Sequence, residues 1–271
     1  MKKRAKWSGV LLSTVLLGSL LLSACGSQES SAPAGGGQAA GGEGKKDFTY
    51  AMSGVYKPFS FKENGQLTGF DVEIGQALAE KMGMNAVPIT NPFETIIPGL
   101  DAKKYDSIIG SLTVTPERQK AVSFTNPYYR SGSQIFVQEG NTTIKGKDDL
   151  KGKKIGVVKA SNYLDWAKKL TDEDKITQYD SDITALLDLP TGRLDAVITD
   201  QVVGLRFIKE GGGKVIDVGE PLSFDEQAIA VRLGDQESVD RINKALDEII
   251  KDGTYEKISQ KWFGRNILQK Q

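Results

Sequence analysis

From about residue 45 onward, short apolar runs alternate with amphipathic stretches, and the alternation occurs twice. This double series restricts the fold more than any other feature of the chain. In the first series Phe48–Met52, Asn85–Ile89 and Ser107–Ile109 read as strands. A helix is expected over Asp71–Met82, where Ile74, Leu78 and Met82 share a face, Asp71 caps the start and Gly83 stops the end. Phe93–Lys104 reads as a second helix, interrupted by Pro98. Thr115-Pro116 places a capping residue before a proline at the first helical position, so a short helix is expected from there. The second series begins after Gln134–Val137, with strands at Lys153–Val158, Thr177–Tyr179 and Ala196–Ile198. Its helices are Tyr163–Leu170, a segment capped by Ser181 or Asp182 that runs to Leu189, and Gln201–Lys209. Ala228–Val231 then returns as a strand, and Ser238–Lys251 is a strongly amphipathic helix. Such alternation predicts an α/β chain with mostly parallel sheets flanked by helices. Two series predict two lobes, 47–132 plus 228–271 and 133–227, joined by crossovers near Ser131–Gln134 and Asp225–Ala228.

The N-terminal segment has a different logic. Lys2, Lys3, Arg4 and Lys6 precede an apolar run from Val10 to Leu22, which is short against the roughly 20 residues of a spanning helix. Charged start, short apolar run and small residues read as a signal peptide over residues 1–24. Leu22-Ser23-Ala24-Cys25 resembles the bacterial lipobox. The resemblance implies cleavage before Cys25 and attachment of this residue to the lipid bilayer through diacylglycerol. Removing residues 1–24 takes away four basic residues and no acidic ones, so 35 basic against 35 acidic becomes 31 against 35, a net charge of −4. The Gly-, Ala-, Ser- and Gln-rich stretch that follows, within residues 25–46, has the composition of a flexible linker.

Composition removes whole classes of chemistry. With no histidine, Ser-His-Asp and Cys-His nucleophiles and His-ligated zinc are excluded. One cysteine excludes disulfides and iron–sulfur clusters within the chain. A balanced charge argues against a nucleic-acid partner, which requires a basic surface. Gly211-Gly212-Gly213-Lys214 lacks phosphate-loop spacing and reads as a helix stop, and Asp172-Glu173-Asp174 lacks the pattern of a calcium loop. No cofactor, no metal and no catalytic group is expected.

Six segments carry a resemblance in their order along the chain: Tyr56-Lys57-Pro58-Phe59, Gly69-Phe70-Asp71-Val72, Gly110 to Arg118, Phe124 to Tyr129, Gly192 to Ala196, and Asp252-Gly253-Thr254-Tyr255. The set resembles the polar amino-acid-binding proteins of ABC importers, lipoproteins in Gram-positive bacteria, and in particular their arginine-, lysine- and histidine-binding branch. The resemblance implies a two-lobed α/β fold of the type II periplasmic-binding-protein class, with two hinge crossovers. It also implies a free L-amino acid as ligand, permease and ATPase subunits as partners, and a place on the outer face of a bacterial, Gram-positive cell membrane.

A free amino acid is a zwitterion, so binding it needs an anion clamp, an ammonium clamp and a side-chain pocket. Arg118 has the planar donor pair that matches a carboxylate, at the position the family uses. Gly110, Ser111 and Thr113 directly follow a buried strand, where α/β folds place ligands. By resemblance the Gly110 or Ser111 carbonyl accepts from the ammonium group, the Thr113 hydroxyl and amide complete the shell, and Asp200 is the carboxylate for the ammonium, a residue that also suits the capping of the helix after it. The Lys159–Tyr163 turn matches one whose amides meet the ligand carboxylate, with Asn162 and Tyr163 at the corresponding positions. Tyr56 and Phe93 are the expected side-chain walls, whose faces attract a cation by about 0.5–2 kcal/mol. Two residues weigh against a basic ligand. Ser53 stands where many relatives carry an acid, leaving Glu94 as a candidate for the distal charge, and Lys159 matches a lysine of glutamine-binding relatives. Glutamine is therefore the alternative ligand, and a secreted dehydratase on the same fold is the alternative class.

Overall fold

The structure is a computed structural model that describes residues 45–268. The expected signal peptide, Cys25 and the linker up to residue 44 lie outside the described residues. The first series runs β1 (Asp47–Met52), β2 (Val55–Tyr56), β3 (Ser60–Glu63), β4 (Gln66–Thr68), α1 (Phe70–Lys81), β5 (Asn85–Thr90), α2 (Ile96–Asp101), β6 (Ser107–Ile108), α3 (Pro116–Gln119) and β7 (Val122–Ser131). The second runs β8 (Ser133–Gln138), β9 (Ile155–Val158), α4 (Asn162–Leu170), β10 (Ile176–Tyr179), α5 (Asp182–Asp188), β11 (Ala196–Asp200), α6 (Gln201–Lys209) and β12 (Val215–Val218). The chain closes with β13 (Asp225–Arg232), α7 (Gln236–Lys251) and α8 (Thr254–Phe263).

Two five-stranded sheets result, ordered β5-β1-β6-β13-β7 and β10-β9-β11-β8-β12, and β2-β3-β4 form a small third sheet. In the first sheet β5, β1 and β6 pair in parallel, while β13 pairs antiparallel with both β6 and β7. The second repeats the scheme, with β8 antiparallel to β11 and β12. The one reversed strand in each sheet is the strand by which the chain enters from the other sheet. Strands that approach the junction end there, and a strand that leaves the junction must run the opposite way.

The connections are tight. Only Gly132 separates β7 from β8, and a Cβ on it would collide with the backbone carbonyl of Ser223 in the returning connection. Each sheet is packed on both faces, in the period-two pattern of a strand. Phe48, Tyr50 and Met52 of β1 join one core and Ala51 the other. Ile135 and Val137 of β8 join one core and Phe136 the other. Both sheets also use a helical glycine over an aromatic ring, Gly75 of α1 on Tyr50 and Gly204 of α6 on Phe136. Bare backbone lets each helix sit against its sheet at a distance that any side chain would prevent.

Several local expectations change. Asp71 is not a cap: Gly69 precedes α1 without a side-chain hydrogen bond, and Asp71 is fully buried. Phe93–Lys104 is not one helix but a 3₁₀ turn over Phe93–Thr95 followed by the six residues of α2. Neither Ser181 nor Asp182 caps α5 with its side chain, because Asp182 turns inward to the hydroxyl of Thr199. Thr115 does cap α3, accepting from the Arg118 amide at 3.2 Å.

Candidate functional site

The parallel strands of both sheets end toward one junction, the general location of ligands in open α/β sheets. From the first sheet, β6 leads into Gly110 and Ser111. Ser111 has φ +58°, a left-handed conformation that costs a residue with a side chain about 1–2 kcal/mol. A closed set of hydrogen bonds holds it. Its amide donates to the Tyr128 hydroxyl at 2.9 Å, and its Oγ donates to Asp71 Oδ2 at 2.9 Å. Tyr128 in turn donates to Asp71 Oδ1 at 2.8 Å. Asp71 and Tyr128 are fully buried, and burial pushes the Asp71 carboxyl up to about 7 against the opposing pull of these two hydroxyl donors.

Arg118, on α3, reaches across the junction. One guanidinium nitrogen donates to the Thr113 carbonyl at 3.0 Å and the other to the Ala160 carbonyl, after β9, at 3.2 Å. Its guanidinium carbon lies 5.6 Å from the centre of the Phe93 ring. Desolvation draws its pKa below the ordinary value, while Tyr163, Asp165 and Asp225 oppose that shift.

Asp200 makes a tie of the opposite charge. Its Oδ1 caps α6 by accepting from the amides of Val202 at 2.8 Å and Val203 at 3.2 Å, and also accepts from Ser131 Oγ of β7 at 2.8 Å. Burial pushes its carboxyl up to about 7 in spite of these donors. Thr113 is buried, and its hydroxyl donates to Asn162 Oδ1 at 3.4 Å. Asn162 Nδ2 donates to Asp225 Oδ2 at 3.1 Å.

Seven of the expected site residues, Ser53, Tyr56, Phe93, Gly110, Ser111, Asn162 and Tyr163, line one cavity at the junction. Thr113, Arg118 and Asp200 do not line it but stand in the hydrogen-bonded shell described above. The cavity measures 30 Å³, room for a water or two rather than an amino acid. A second cavity of 340 Å³ adjoins it, sharing Ser53, Val55, Phe93, Val158 and Asp180.

Lys159 lines only this second cavity, where its Nζ lies 2.7 Å from Asp180 Oδ1. The acid that pairs with Lys159 is Asp180, and Glu94, the candidate for the distal charge, lines the same cavity. Asp180 and Asp182 line the junction cavity as well, and sequence reasoning does not single them out. Both follow the end of β10 in Tyr179-Asp180-Ser181-Asp182, the same strand-end signal that selects Gly110 and Ser111, but the acidic and hydroxyl residues there also fit a helix cap. Asp182 is fully buried, which pushes its carboxyl up to about 6.

Comparison with known proteins adds three relatives and a family. The sequence model of the bacterial extracellular solute-binding proteins, family 3, matches residues 48–265. The L-cystine-binding protein TcyJ of Escherichia coli (strain K12) is 38% identical over 220 residues, 80% of this chain and 83% of that protein. The L-arginine-binding protein of Pseudomonas aeruginosa is 37% identical over 232 residues, 82% of this chain and 90% of that one. Among solved structures, an ancestral arginine-binding protein bound to glutamine superposes with a TM-score of 0.76 at 41% identity, covering 82% of this chain and 99% of that one.

Proposed function

Because the chain belongs to the bacterial extracellular solute-binding proteins of family 3, we propose that it captures a free basic amino acid, arginine first and lysine or histidine next, and delivers it to the permease and ATPase subunits of an ABC importer. In this reading Cys25 tethers the chain by lipid to the outer face of the cell membrane of a Gram-positive bacterium. The relatives described above are named as binding proteins and not as enzymes.

One observation carries the reading: a positive and a negative group at the junction are each anchored on both sides of it. Arg118 bonds backbone after β6 and after β9, and Asp200 bonds β7 while capping α6. Opposite charges placed in this way suit the carboxylate and ammonium of a zwitterion, and they couple its binding to the relative placement of the two sheets. The small junction cavity supports a hinge. An amino acid enters only if the two lobes part at Gly132 and at the 219–224 connection, which precedes β13 and so shifts the second crossover ahead of the expected Asp225–Ala228, and then close.

A basic ligand is favoured by the faces of Tyr56 and Phe93 and by the pairing of Lys159 with Asp180, which offsets the repulsion that a free ammonium group would exert. Glutamine is the second reading, since Lys159 tolerates a neutral amide. Calorimetry with the twenty amino acids, followed by competition between labelled arginine and unlabelled glutamine, tests the choice. Arginine should bind more tightly. Displacement of arginine by an equal or lower concentration of glutamine would reject the basic assignment.

A further inference from the structure

The ligand's polar head has candidate partners in Arg118 and Asp200, but Ser53 supplies no charge for a cationic tail. The 340 Å³ cavity beyond Phe93 supplies one. Its charged lining groups are Lys159, Asp180 and Glu94, one cation against two anions, with the neutral phenol of Tyr179 beside them. Lys159 engages Oδ1 of Asp180 at 2.7 Å, and Oδ2 takes no hydrogen bond among the described residues. Asp180 lines both cavities and so belongs to the wall they share. Phe93 also lines both, and it already has a guanidinium over its ring, that of Arg118.

We propose that this second cavity is the subsite for the ligand's distal cation, with Asp180 as the specificity-determining carboxylate and Lys159 as the internal cation that competes for it. The assignment rests on the reading of the ligand as a basic amino acid. A guanidinium or ammonium that passes Phe93 meets a wall with one negative charge in excess and takes the free oxygen of Asp180. Lys159 offers nothing to such a tail and draws on the same carboxylate through Oδ1. Two other tails would use the same pair differently. An amide, as in glutamine, gains a donor from Lys159 and an acceptor from Asp180, and a second zwitterionic head, as in cystine, gains a counterion from each.

Calorimetric titration of arginine, glutamine and cystine into the mature full-length chain, its Asp180→Asn variant and its Lys159→Met variant separates these cases. The side chains of Asp180 and Lys159 are 82% and 39% exposed, so neither substitution disturbs the core. For Asp180→Asn, arginine affinity should fall about tenfold or more, the loss of a charge-assisted hydrogen bond, while glutamine changes less than about threefold, as a solvent-exposed contact would. For Lys159→Met, arginine should bind more tightly than to the wild type. Equal losses for arginine and glutamine in Asp180→Asn, or weaker arginine binding in Lys159→Met, would overturn the subsite. So would cystine binding more tightly than arginine and depending on both residues. A wild type that binds arginine with Asp180→Asn unaffected rejects the subsite alone, whereas a wild type that binds no basic amino acid rejects the ligand reading as well.

Discussion

The two sides of the junction present their groups differently. On the first sheet's side Gly110 and Ser111 present backbone aimed by buried side chains, beside the side chains of Tyr56, Phe93 and Arg118. Asp71 and Tyr128 fix Ser111 in a left-handed conformation, and the adjoining core is rich in rings, with Phe59, Phe70, Tyr128 and Tyr129 in mutual stacked or edge contact. The second sheet's side offers side chains on strand-to-helix turns, Lys159, Asn162, Asp180 and Asp182, over an aliphatic core of Ile135, Val137, Ile155, Val157 and Ile198. Carbonyls and amides held by a buried network suit what all amino acids share, their zwitterionic head. The accessible charges of Lys159 and Asp180 suit what differs among them. In the proposed reading the zwitterionic head takes one charged group from each side, Arg118 from the first and Asp200 from the second, whereas the charged pair nearest the ligand's tail, Lys159 and Asp180, comes from the second alone.

The largest effects should come from the two groups tied to both sides. Arg118→Ala and Asp200→Ala should each weaken ligand binding by several kcal/mol, because a desolvated ligand charge loses its partner. Asp200→Ala should in addition cost about 1 kcal/mol of stability through the lost cap of α6. Titration calorimetry and urea unfolding separate the two losses, and an affinity change below about 1 kcal/mol at either position would break the assignment.

Next comes the network that aims Ser111. Asp71→Ala leaves the Tyr128 and Ser111 hydroxyls without their acceptor in the interior and should cost about 1–3 kcal/mol for each group left unpaired. Asp71→Asn keeps an acceptor and should cost less. If the first side is the aiming side, urea unfolding and ligand affinity should fall together in Asp71→Ala, whereas affinity unchanged by the alanine would detach the network from the site.

The helical glycines give a comparison at matched positions. Gly75→Ala and Gly204→Ala each drive a methyl group into a ring, Tyr50 or Phe136, and should cost about 1–3 kcal/mol by overpacking. Thermal unfolding should show both losses. A tolerated alanine at one position alone would show which helix can move off its sheet.

The pH dependence follows from Asp200. Its raised pKa means that the folded chain protonates this carboxyl below about pH 7, and a neutral carboxyl cannot pair with an ammonium group. Affinity should therefore rise with pH until about 7 and level off above it, with at most about tenfold per unit on the acid side. For the chain without ligand the sign is opposite. Asp71, Asp182 and Asp200 bind protons more tightly folded than unfolded, so their contribution to stability falls as pH rises from about 4 to about 7. Calorimetry and urea unfolding across pH 5–8 check both slopes.

The smallest effect belongs to the rim. Lys57 Nζ lies 3.0 Å from Glu210 and joins the β2–β3 turn to the end of α6. Both side chains are substantially exposed, so Lys57→Ala should change stability or affinity by less than about 1 kcal/mol, measured by the same titrations.

Much of this arrangement was legible in the sequence because it depends on local signals. Thr115-Pro116 announces α3 and with it the place of Arg118, and the apolar runs before Gly110 and Asp200 announce the strand ends. What escaped depends on tertiary contact. The two- to four-residue strands β2, β3 and β4 are too short to show a period. Strand β7 is hidden by Pro127, which is accommodated because β7 lies at the edge of its sheet, where the register with β13 is irregular. Asp71 reads as a cap because an acid at a helix start ordinarily faces water. Only the folded positions of Tyr128 and Ser111, 57 and 40 residues away, give it buried partners. Asp180 was overlooked for the same reason, since its partner Lys159 lies 21 residues earlier.

The most direct test of the account is a titration of arginine into the mature wild-type chain and into Arg118→Ala. The wild type should show saturable one-to-one binding that the variant loses, with circular dichroism unchanged. Absence of saturable binding to the wild type, or equal affinity in the two proteins, would contradict it.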